Sequence, residues 1–77
     1  MHITIEYMGF FRIEGVPNNS KLEIEPATTV TQLLDQLQVK PEHRTYLKPI
    51  VNRERRSFDY PLQDGDNLFL YFPIGGG

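Results

Sequence analysis

The chain ends in Pro73-Ile74-Gly75-Gly76-Gly77, and this terminus is the first stretch whose residue types suggest chemistry. Glycine adds no side chain to a core, so residues 73–77 are expected to form a flexible tail. The last four residues reach about 13 Å when extended. A chain without Cβ atoms passes through a narrow channel, and its terminal carboxylate is free to attack the α-phosphate of a nucleotide held by another protein. The tail is therefore either a passive end or a group that a partner enzyme activates.

Conventional catalytic groups are scarce in the rest of the chain. The absence of cysteine excludes thiolate nucleophiles and thiolate metal sites within it, and His2 and His43 lie in no catalytic or metal-binding motif. Asp64 and Asp66 flank Gly65, and paired carboxylates can bind a cation or transfer protons. An Asp-Gly-Asp between two strands is more typical of a tight turn, because glycine adopts positive φ without strain. We predict a turn there and no metal site.

A cluster of basic residues lies in the middle of the chain. Arg53, Arg55 and Arg56 follow Arg44 and Lys48 closely, while most acidic residues lie elsewhere. These side chains are either an ordinary solvated surface or a docking surface for an acidic partner, since arginine pairs with carboxylates through two parallel hydrogen bonds.

The last apolar segment of the chain has two different faces. Alternation places Leu68, Leu70 and Phe72 on one side and Phe69 and Tyr71 on the other. If the leucines pack in the core, the two aromatic rings stand on a sheet face that is otherwise polar. They then serve either cross-strand packing or the binding of a partner.

Composition narrows the classes of protein. Seventy-seven residues suffice for one small domain, and eight Lys and Arg against ten Asp and Glu give a net charge of −2. A negative chain has no general attraction for nucleic acid or anionic membranes. The longest apolar run, Leu68–Ile74, is far below the roughly 18 residues of a membrane helix, and the first residues do not begin a secretory signal. We expect a cytoplasmic protein.

The order of elements predicts an α+β fold. Alternation predicts strands, and proline, glycine and asparagine mark the turns between them. The apolar positions Val30, Leu33, Leu34 and Leu37 predict a helix that is capped by Thr28 or Thr29 and ends before Pro41. The strands are predicted at His2–Tyr7, Lys21–Glu25, Leu47–Asn52 and Asn67–Phe72.

Three further expectations complete this architecture. Lys40–Tyr46 is expected to be a polar connection, Pro49 to mark an edge or the start of a strand, and Arg53–Tyr60 to hold at most one short extra strand. The last strand should lie beside the first. This is the β-grasp arrangement, a mixed sheet of four to five strands with one main helix on one face. Residues 1–72 form the domain and residues 73–77 the tail.

The segment from Val51 to Gly77, VNRERRSFDYPLQDGDNLFLYFPIGGG, resembles the C-terminal third of the MoaD/ThiS family of ubiquitin-like sulfur carriers. The resemblance lies in the VN pair, the L-x-DGD turn and the terminal Gly-Gly, and the T-V-x-x-L-L of Thr29–Leu34 is similar to the family's helix. The chain is more similar to the MoaD branch, the small subunit of molybdopterin synthase, than to the ThiS branch of thiamine synthesis. Gly75 is an additional glycine, and Met8–Asn19 carries no mark of the family.

The resemblance implies a mechanism in which the chain is a carrier co-substrate and not an enzyme. An ATP-dependent activating enzyme of the MoeB/ThiF kind adenylates the Gly77 carboxylate, and a sulfur donor converts it to a thiocarboxylate for cofactor synthesis, above all of molybdopterin. ATP is used by the partner, and the carrier itself binds no cofactor. A large synthase subunit is a further implied partner. The residues expected to act are Gly76 and Gly77 in the reaction, and Phe69, Tyr71, Pro73, Ile74, Gly75, Arg53, Arg55 and Arg56 in docking.

Other functions remain open at this point. Carriers for thiamine or another sulfur-containing metabolite share the tail, and a protein modifier joined to lysines through Gly77 needs the same activated carboxylate. A β-grasp interaction module with a passive tail is a third alternative.

Overall fold

The computed structural model of the protein describes residues 1–8 and 13–72. These residues form five strands and two short helices. No helix in this part of the chain has the length and apolar character needed to cross a membrane. The elements are β1 (His2–Tyr7), β2 (Ser20–Glu23), α1 (Val30–Gln36), α2 (Pro41–Arg44), β3 (Lys48–Val51), β4 (Glu54–Arg55) and β5 (Asn67–Tyr71).

The five strands form one mixed sheet in the order β2-β1-β5-β3-β4. β5 pairs parallel with β1, and the other neighbouring pairs are antiparallel. The last strand therefore lies at the centre, beside the first, as predicted. Because β5 is held by a neighbour on each side, the residues at its end have a fixed position in the domain.

The core lies between one face of the sheet and α1. On β1 the alternation predicted from the sequence is observed, with Ile3, Ile5 and Tyr7 buried and the residues between them more exposed. β2 is shorter than predicted, since Ile24 lies beyond the strand but is still buried. Among the described residues, the buried apolar cluster is Ile3, Ile5, Tyr7, Ile13, Ile24, Val30, Leu33, Leu34, Val39, Leu47, Val51, Leu62, Leu68 and Leu70.

Thr29, one of the two predicted caps, begins the helix. Its hydroxyl accepts a hydrogen bond from the Gln32 amide at 3.1 Å, and the Gln32 side chain accepts one from the Thr29 amide at 3.0 Å. This reciprocal pair is a capping box, which satisfies two backbone donors at the helix start. Thr28 is instead buried and donates its hydroxyl proton to the Glu25 carbonyl at 2.7 Å.

The expectation of a polar connection at Lys40–Tyr46 is wrong, because residues Pro41–Arg44 form helix α2. Proline fixes φ near the helical value and lacks the N–H that the first turn would leave unpaired, so Pro41 favours a helix start. Arg44 is the last residue of this helix, and its guanidinium donates to the Val39 carbonyl, at 3.0 and 2.7 Å, and to Asp35 Oδ1, at 2.7 Å. These contacts give Arg44 a structural role.

Pro49 does not mark an edge, since β3 lies between β5 and β4 and Pro49 is its second residue. The Arg56 amide donates to the Pro49 carbonyl at 3.0 Å, so the backbone polar groups of Pro49 face β4 and not β5. The missing N–H of Pro49 therefore costs no bond to β5. The ambiguous stretch after Asn52 contains the short strand β4, as the sequence allowed.

Candidate functional site: the open sheet face and the end of β5

The predicted tail residues Pro73, Ile74, Gly75, Gly76 and Gly77 lie outside the described residues, so their assigned roles remain predictions. The structure does describe β5, the strand that precedes them. β5 is paired with β1 as far as Leu70 and with β3 as far as Tyr71, which lies opposite Lys48. The next amide, that of Phe72, donates to the Met8 sulfur at 3.4 Å. The chain thus enters the tail from a fixed point at the centre of the sheet.

Two aromatic rings mark the end of β5 on the side of the core. Phe72 is half-buried against the core, and its ring centroid lies 6.1 Å from that of Tyr46 in a tilted arrangement. Tyr46 is 60% exposed, more than any other large apolar side chain described. Tyr46 was not predicted as a site residue, since its only signal in the sequence is that it is an aromatic residue within a polar stretch. Its exposure beside the attachment point of the tail makes it a candidate contact for a partner.

The opposite face of the sheet carries the predicted aromatic pair. Phe69 is partly buried and Tyr71 is 39% exposed, while the alternate residues Leu68 and Leu70 are fully buried beneath them. The Phe69 and Tyr71 ring centroids are 6.1 Å apart. The prediction that these two rings stand on the open face is confirmed.

Ile50 completes an apolar surface that the sequence did not indicate. It lies directly opposite Phe69 in the β3–β5 ladder and is partly buried. Residues opposite one another on antiparallel strands share a face, so the three side chains are neighbours. We refer to Ile50, Phe69 and Tyr71 as the docking patch. Finding Ile50 required the register of β3, which the sequence alone did not supply.

Charged side chains border the docking patch on both sides. Glu6 of β1 is paired with Phe69, Lys48 of β3 with Tyr71, and Arg55 of β4 with Ile50. An apolar centre with a charged border is the usual composition of a protein-binding surface. The border of this patch is acidic toward β1 and basic toward β4.

The structure divides the predicted arginine cluster. Arg55 alone lies on the face of the docking patch, opposite Ile50. Arg53 occupies the tip of the β3–β4 hairpin with φ of 73°. Arg56 follows on the other face, where its guanidinium lies 5.0 Å from the Tyr60 ring centroid and 3.3 Å from a Glu54 oxygen. The three arginines therefore do not share one face of the sheet, and Arg55 and Arg56 approach a common surface only around its β4 edge.

The Asp64-Gly65-Asp66 segment is a turn, as predicted, and it fastens the start of β1. Gly65 has φ of 87°, which suits glycine. Its amide donates to the His2 carbonyl at 2.7 Å, and the His2 amide donates to Asp64 Oδ1 at 2.8 Å. The pair of carboxylates is thus engaged in structure.

Asp66 connects this turn to the β3–β4 hairpin. It is only 6% exposed, and its two carboxylate oxygens accept bonds from Asn52 Nδ2 at 2.9 Å and from the Gln63 amide at 2.8 Å. Asn52 Oδ1 in turn accepts from the Asn67 amide at 2.9 Å. The VN and DGD motifs therefore meet in one hydrogen-bond network at the start of β5.

Both histidines are exposed, His2 beside Glu23 at 4.0 Å and His43 on α2. Within residues 1–8 and 13–72, no three His, Asp or Glu side chains are grouped so that they could hold a metal ion. Asp64 and Asp66 serve the turn, and Glu23, Asp35 and Glu54 lie in ion pairs.

Comparisons with known proteins agree with this architecture. The ThiS family matches residues 5–77, nearly the whole chain. The chain belongs to the ThiS family. The resemblance predicted from Val51–Gly77 is confirmed, and the match also covers residues 8–19, where the sequence showed no mark of the family. No curated protein sequence matches the chain.

Solved structures similar to this ThiS-family protein share its fold. The chain is 21% identical to a putative molybdopterin converting factor subunit 1 from Pyrococcus furiosus, with a TM-score of 0.72 over 95% of this chain and 98% of that one. It is 19% identical to SAMP1 from Haloferax volcanii, with a TM-score of 0.72 over the full length of both chains. The predicted ubiquitin-like β-grasp fold is therefore confirmed.

One similar structure contains a complex. The ThiS-family protein is 25% identical to a chain in the complex of subunits 1 and 2 of molybdopterin-converting factor from Helicobacter pylori, with a TM-score of 0.65 over the full length of both chains. In that complex the similar chain is bound to a second subunit.

Proposed function

We propose that this ThiS-family protein is a sulfur carrier whose Gly77 carboxylate is the reactive group. The observation that carries the proposal is the family match, which extends through the last glycine. The geometry supports it, since the central strand β5 brings the chain to a fixed exit point beside exposed aromatic side chains. The proposal requires Gly77 to be the last residue of the mature protein, which the intact mass of the purified protein checks.

The chemistry needs no side chain of the carrier. The terminal carboxylate attacks the α-phosphate of ATP on an activating enzyme, pyrophosphate leaves, and a glycyl adenylate forms. A sulfur nucleophile at the oxidation level of sulfide then displaces AMP and leaves a thiocarboxylate. The difficult step is the formation of a good leaving group, and the partner's nucleotide site supplies it. In this proposal Gly76 keeps the approach to the carboxylate narrow and Gly75 lengthens the reach.

Docking of the activating enzyme is assigned to the docking patch, with Pro73 and Ile74 leading from it to the reactive end. Tyr71 and Phe69 suit this role because large aromatic side chains at the centre of an interface commonly contribute most of the binding free energy. Lys48, Glu6 and Arg55 border the patch and favour a partner with complementary charges.

We assign the sulfur to molybdopterin synthesis, in which the carrier would be the small subunit of a synthase. Two features support this choice: the MoaD-like sequence around the DGD turn, and the 25% identity to the Helicobacter pylori complex. A modifier that forms isopeptide bonds, and a carrier for thiamine synthesis, use the same activated glycine.

Intact-mass spectrometry tests the proposal directly. The protein is incubated with an activating enzyme, ATP and sulfide, and the replacement of one oxygen by sulfur should add about 16 Da to the terminal group that adenylation addresses. A chain lacking Gly76 and Gly77 is the control and should gain nothing. An unchanged mass with an activating enzyme that loads another carrier of the family would overturn the proposal.

A second readout tests the docking patch. Tyr71→Ala should raise the KM of the activating enzyme for the carrier about tenfold while kcat changes little, because a contact made equally before and during the reaction affects binding alone. Tyr60→Ala removes a tyrosine away from the patch and is the matched control. Equal KM values for the two variants would remove Tyr71 from the docking surface.

Downstream steps distinguish the pathways. The thiocarboxylated carrier is mixed with a molybdopterin synthase large subunit and its precursor, or with the thiazole-forming enzyme of thiamine synthesis, and sulfur release is measured. We expect release in the first mixture. Conjugates of higher mass on cellular proteins, lost when Gly77 is deleted, would instead support the modifier.

A further inference from the structure

A shallow groove of about 390 Å³ lies at the edge of the sheet, on the side of β4. It lies beside the segment that follows β4, where the chain passes next to α1. This segment is held against α1 by the Thr31 amide and hydroxyl, which both donate to the Phe58 carbonyl. Its floor is apolar, with buried Leu47 and Pro49 and half-buried Phe58. A groove with this floor can accept an apolar side chain from another molecule.

The rim of the groove is basic. Lys48, Arg55 and Arg56 line it, and no lining residue carries a carboxylate. Arg56 has one nearby carboxylate, that of Glu54 at 3.3 Å, while Lys48 and Arg55 make no ion pair within the described part of the chain. Two of the three cations are therefore available to an acidic ligand.

This positive charge is local. Four of the eight Lys and Arg of the chain lie within residues 48–56, together with a single acidic residue, whereas the whole chain carries a net charge of −2. The formal charge of this segment is thus opposite in sign to the net charge of the chain. Such a contrast favours ligands that place carboxylates beside an apolar group over polyanions, which need an extended basic surface.

We propose that this groove binds an acidic peptide segment of a partner protein. One apolar side chain of the segment contacts the accessible part of Phe58, above the buried Leu47 and Pro49, and its flanking carboxylates pair with Lys48, Arg55 and Arg56. Arginine is suited to this task because its guanidinium pairs with a carboxylate through two parallel hydrogen bonds. The inference goes beyond the sulfur-carrier function and does not depend on Gly77.

A synthetic peptide provides the test. The probe is the fluorescein-labelled, amidated peptide Glu-Asp-Leu-Asp-Glu, and its isosteric control is Gln-Asn-Leu-Asn-Gln. Fluorescence anisotropy should show binding of the acidic peptide at least about tenfold tighter than the control, and the difference should shrink as salt rises from about 50 to about 300 mM. In ¹⁵N spectra of the whole protein, the amides of Lys48, Arg55 and Arg56 should shift on titration.

Matched charge reversals locate the site. Arg55→Glu should weaken binding of the acidic peptide at least about tenfold. Lys40→Glu, which also reverses one positive charge but at an exposed position outside the groove, should weaken it less than about twofold. Both variants are checked for folding by their spectra before titration. The readout here is peptide binding. If the peptide does not bind, the result of the thiocarboxylate assay is unaffected, so the two proposals can fail separately.

Four outcomes would overturn the inference. They are equal binding of the two peptides, equal weakening by the two charge reversals, shifts confined to Phe69 and Tyr71, and displacement of the peptide by millimolar phosphate or by a short RNA. The third would assign the peptide to the docking patch, and the fourth would indicate a general anion site.

Discussion

The two faces of β5 carry similar residues but have different roles. Leu68 and Leu70 point toward α1 and are fully buried, while Phe69 and Tyr71 point away from it, Phe69 partly covered and Tyr71 39% exposed. The four side chains are all large and apolar, so hydrophobicity alone does not distinguish them. What distinguishes them is whether the domain itself provides a cover. On one face the helix does so, and on the other we propose that a partner does.

This difference separates stability from docking along a single strand. Burial of a leucine contributes free energy only to folding, because its surface is already removed from water in the free protein. An exposed aromatic ring contributes little to folding and can still contribute to association. Substitution of the buried leucines of β5 should therefore lower stability, whereas substitution of the exposed aromatic residues should weaken binding of the partner.

The largest expected effect is the loss of stability on the covered face. Leu70→Ala should lower the free energy of unfolding by about 2–5 kcal/mol, since it removes buried methyl groups and leaves a cavity. Tyr71→Ala, one residue along, should lower it by less than about 1 kcal/mol. Urea denaturation followed by circular dichroism measures both.

A milder substitution keeps this comparison testable if Leu70→Ala does not fold, given a total stability of about 4–12 kcal/mol for a chain of this length. Ile5→Val on β1 should cost about 0.5–1.5 kcal/mol and leave the fold intact. If Tyr71→Ala proved as destabilising as Leu70→Ala, the open face would be part of the core and the comparison would fail.

The next effect concerns the network that positions both faces. Asp66→Ala should lower the free energy of unfolding by about 1–3 kcal/mol, because the Asn52 amide and the Gln63 N–H lose a buried acceptor. Asp64→Ala removes an exposed acceptor in the same turn and should cost about 0.5–1.5 kcal/mol. Hydrogen exchange at the Asn67 amide, which donates to Asn52, reports whether the start of β5 loosens.

Equal costs for the two aspartates would show that the buried network contributes no more than an exposed turn. The docking patch would then depend on β-sheet pairing alone for its position.

Much of the fold could be predicted because local patterns and burial agree. The alternation in His2–Tyr7 gave the bounds of β1, since each buried residue is followed by a more exposed one. The choice between Thr28 and Thr29 could also have been made, because only Thr29 is followed three residues later by a glutamine, Gln32, that completes a capping box. Helix α2 escaped prediction because four residues are too few to show a helical period.

The candidate site was harder to predict, because its members meet through pairing of distant strands. Phe69 and Tyr71 follow from alternation within β5, whereas Ile50 joins them only through the register of β3. Tyr46 reaches Phe72 through tertiary packing alone. Arg55 and Arg56 are adjacent in sequence and lie on opposite faces, a separation that the uncertain strand β4 concealed.

The smallest expected effect concerns the tip of the β3–β4 hairpin, where Arg53 lies on neither face of the sheet. Asn52 and Arg53 both have positive φ, 51° and 73°, which is the pattern of a tight two-residue turn. Asparagine tolerates this conformation, and arginine does so only with strain. Arg53→Gly should therefore raise the free energy of unfolding by about 0.5–1 kcal/mol.

Two companion variants separate the backbone from the side chain at this tip. Arg53→Ala removes the charge but keeps the strain, so its stability should match that of the native protein, while Asn52→Gly should be destabilising because it breaks the bonds to Asp66 and Asn67. If Arg53→Gly is more stable and also weakens activation of the carrier as much as Arg53→Ala does, the arginine side chain belongs to the partner surface at a cost to folding. A loss of stability in Arg53→Gly would show that the long side chain itself supports the hairpin, and the separation between residues for folding and residues for docking would not extend to this turn.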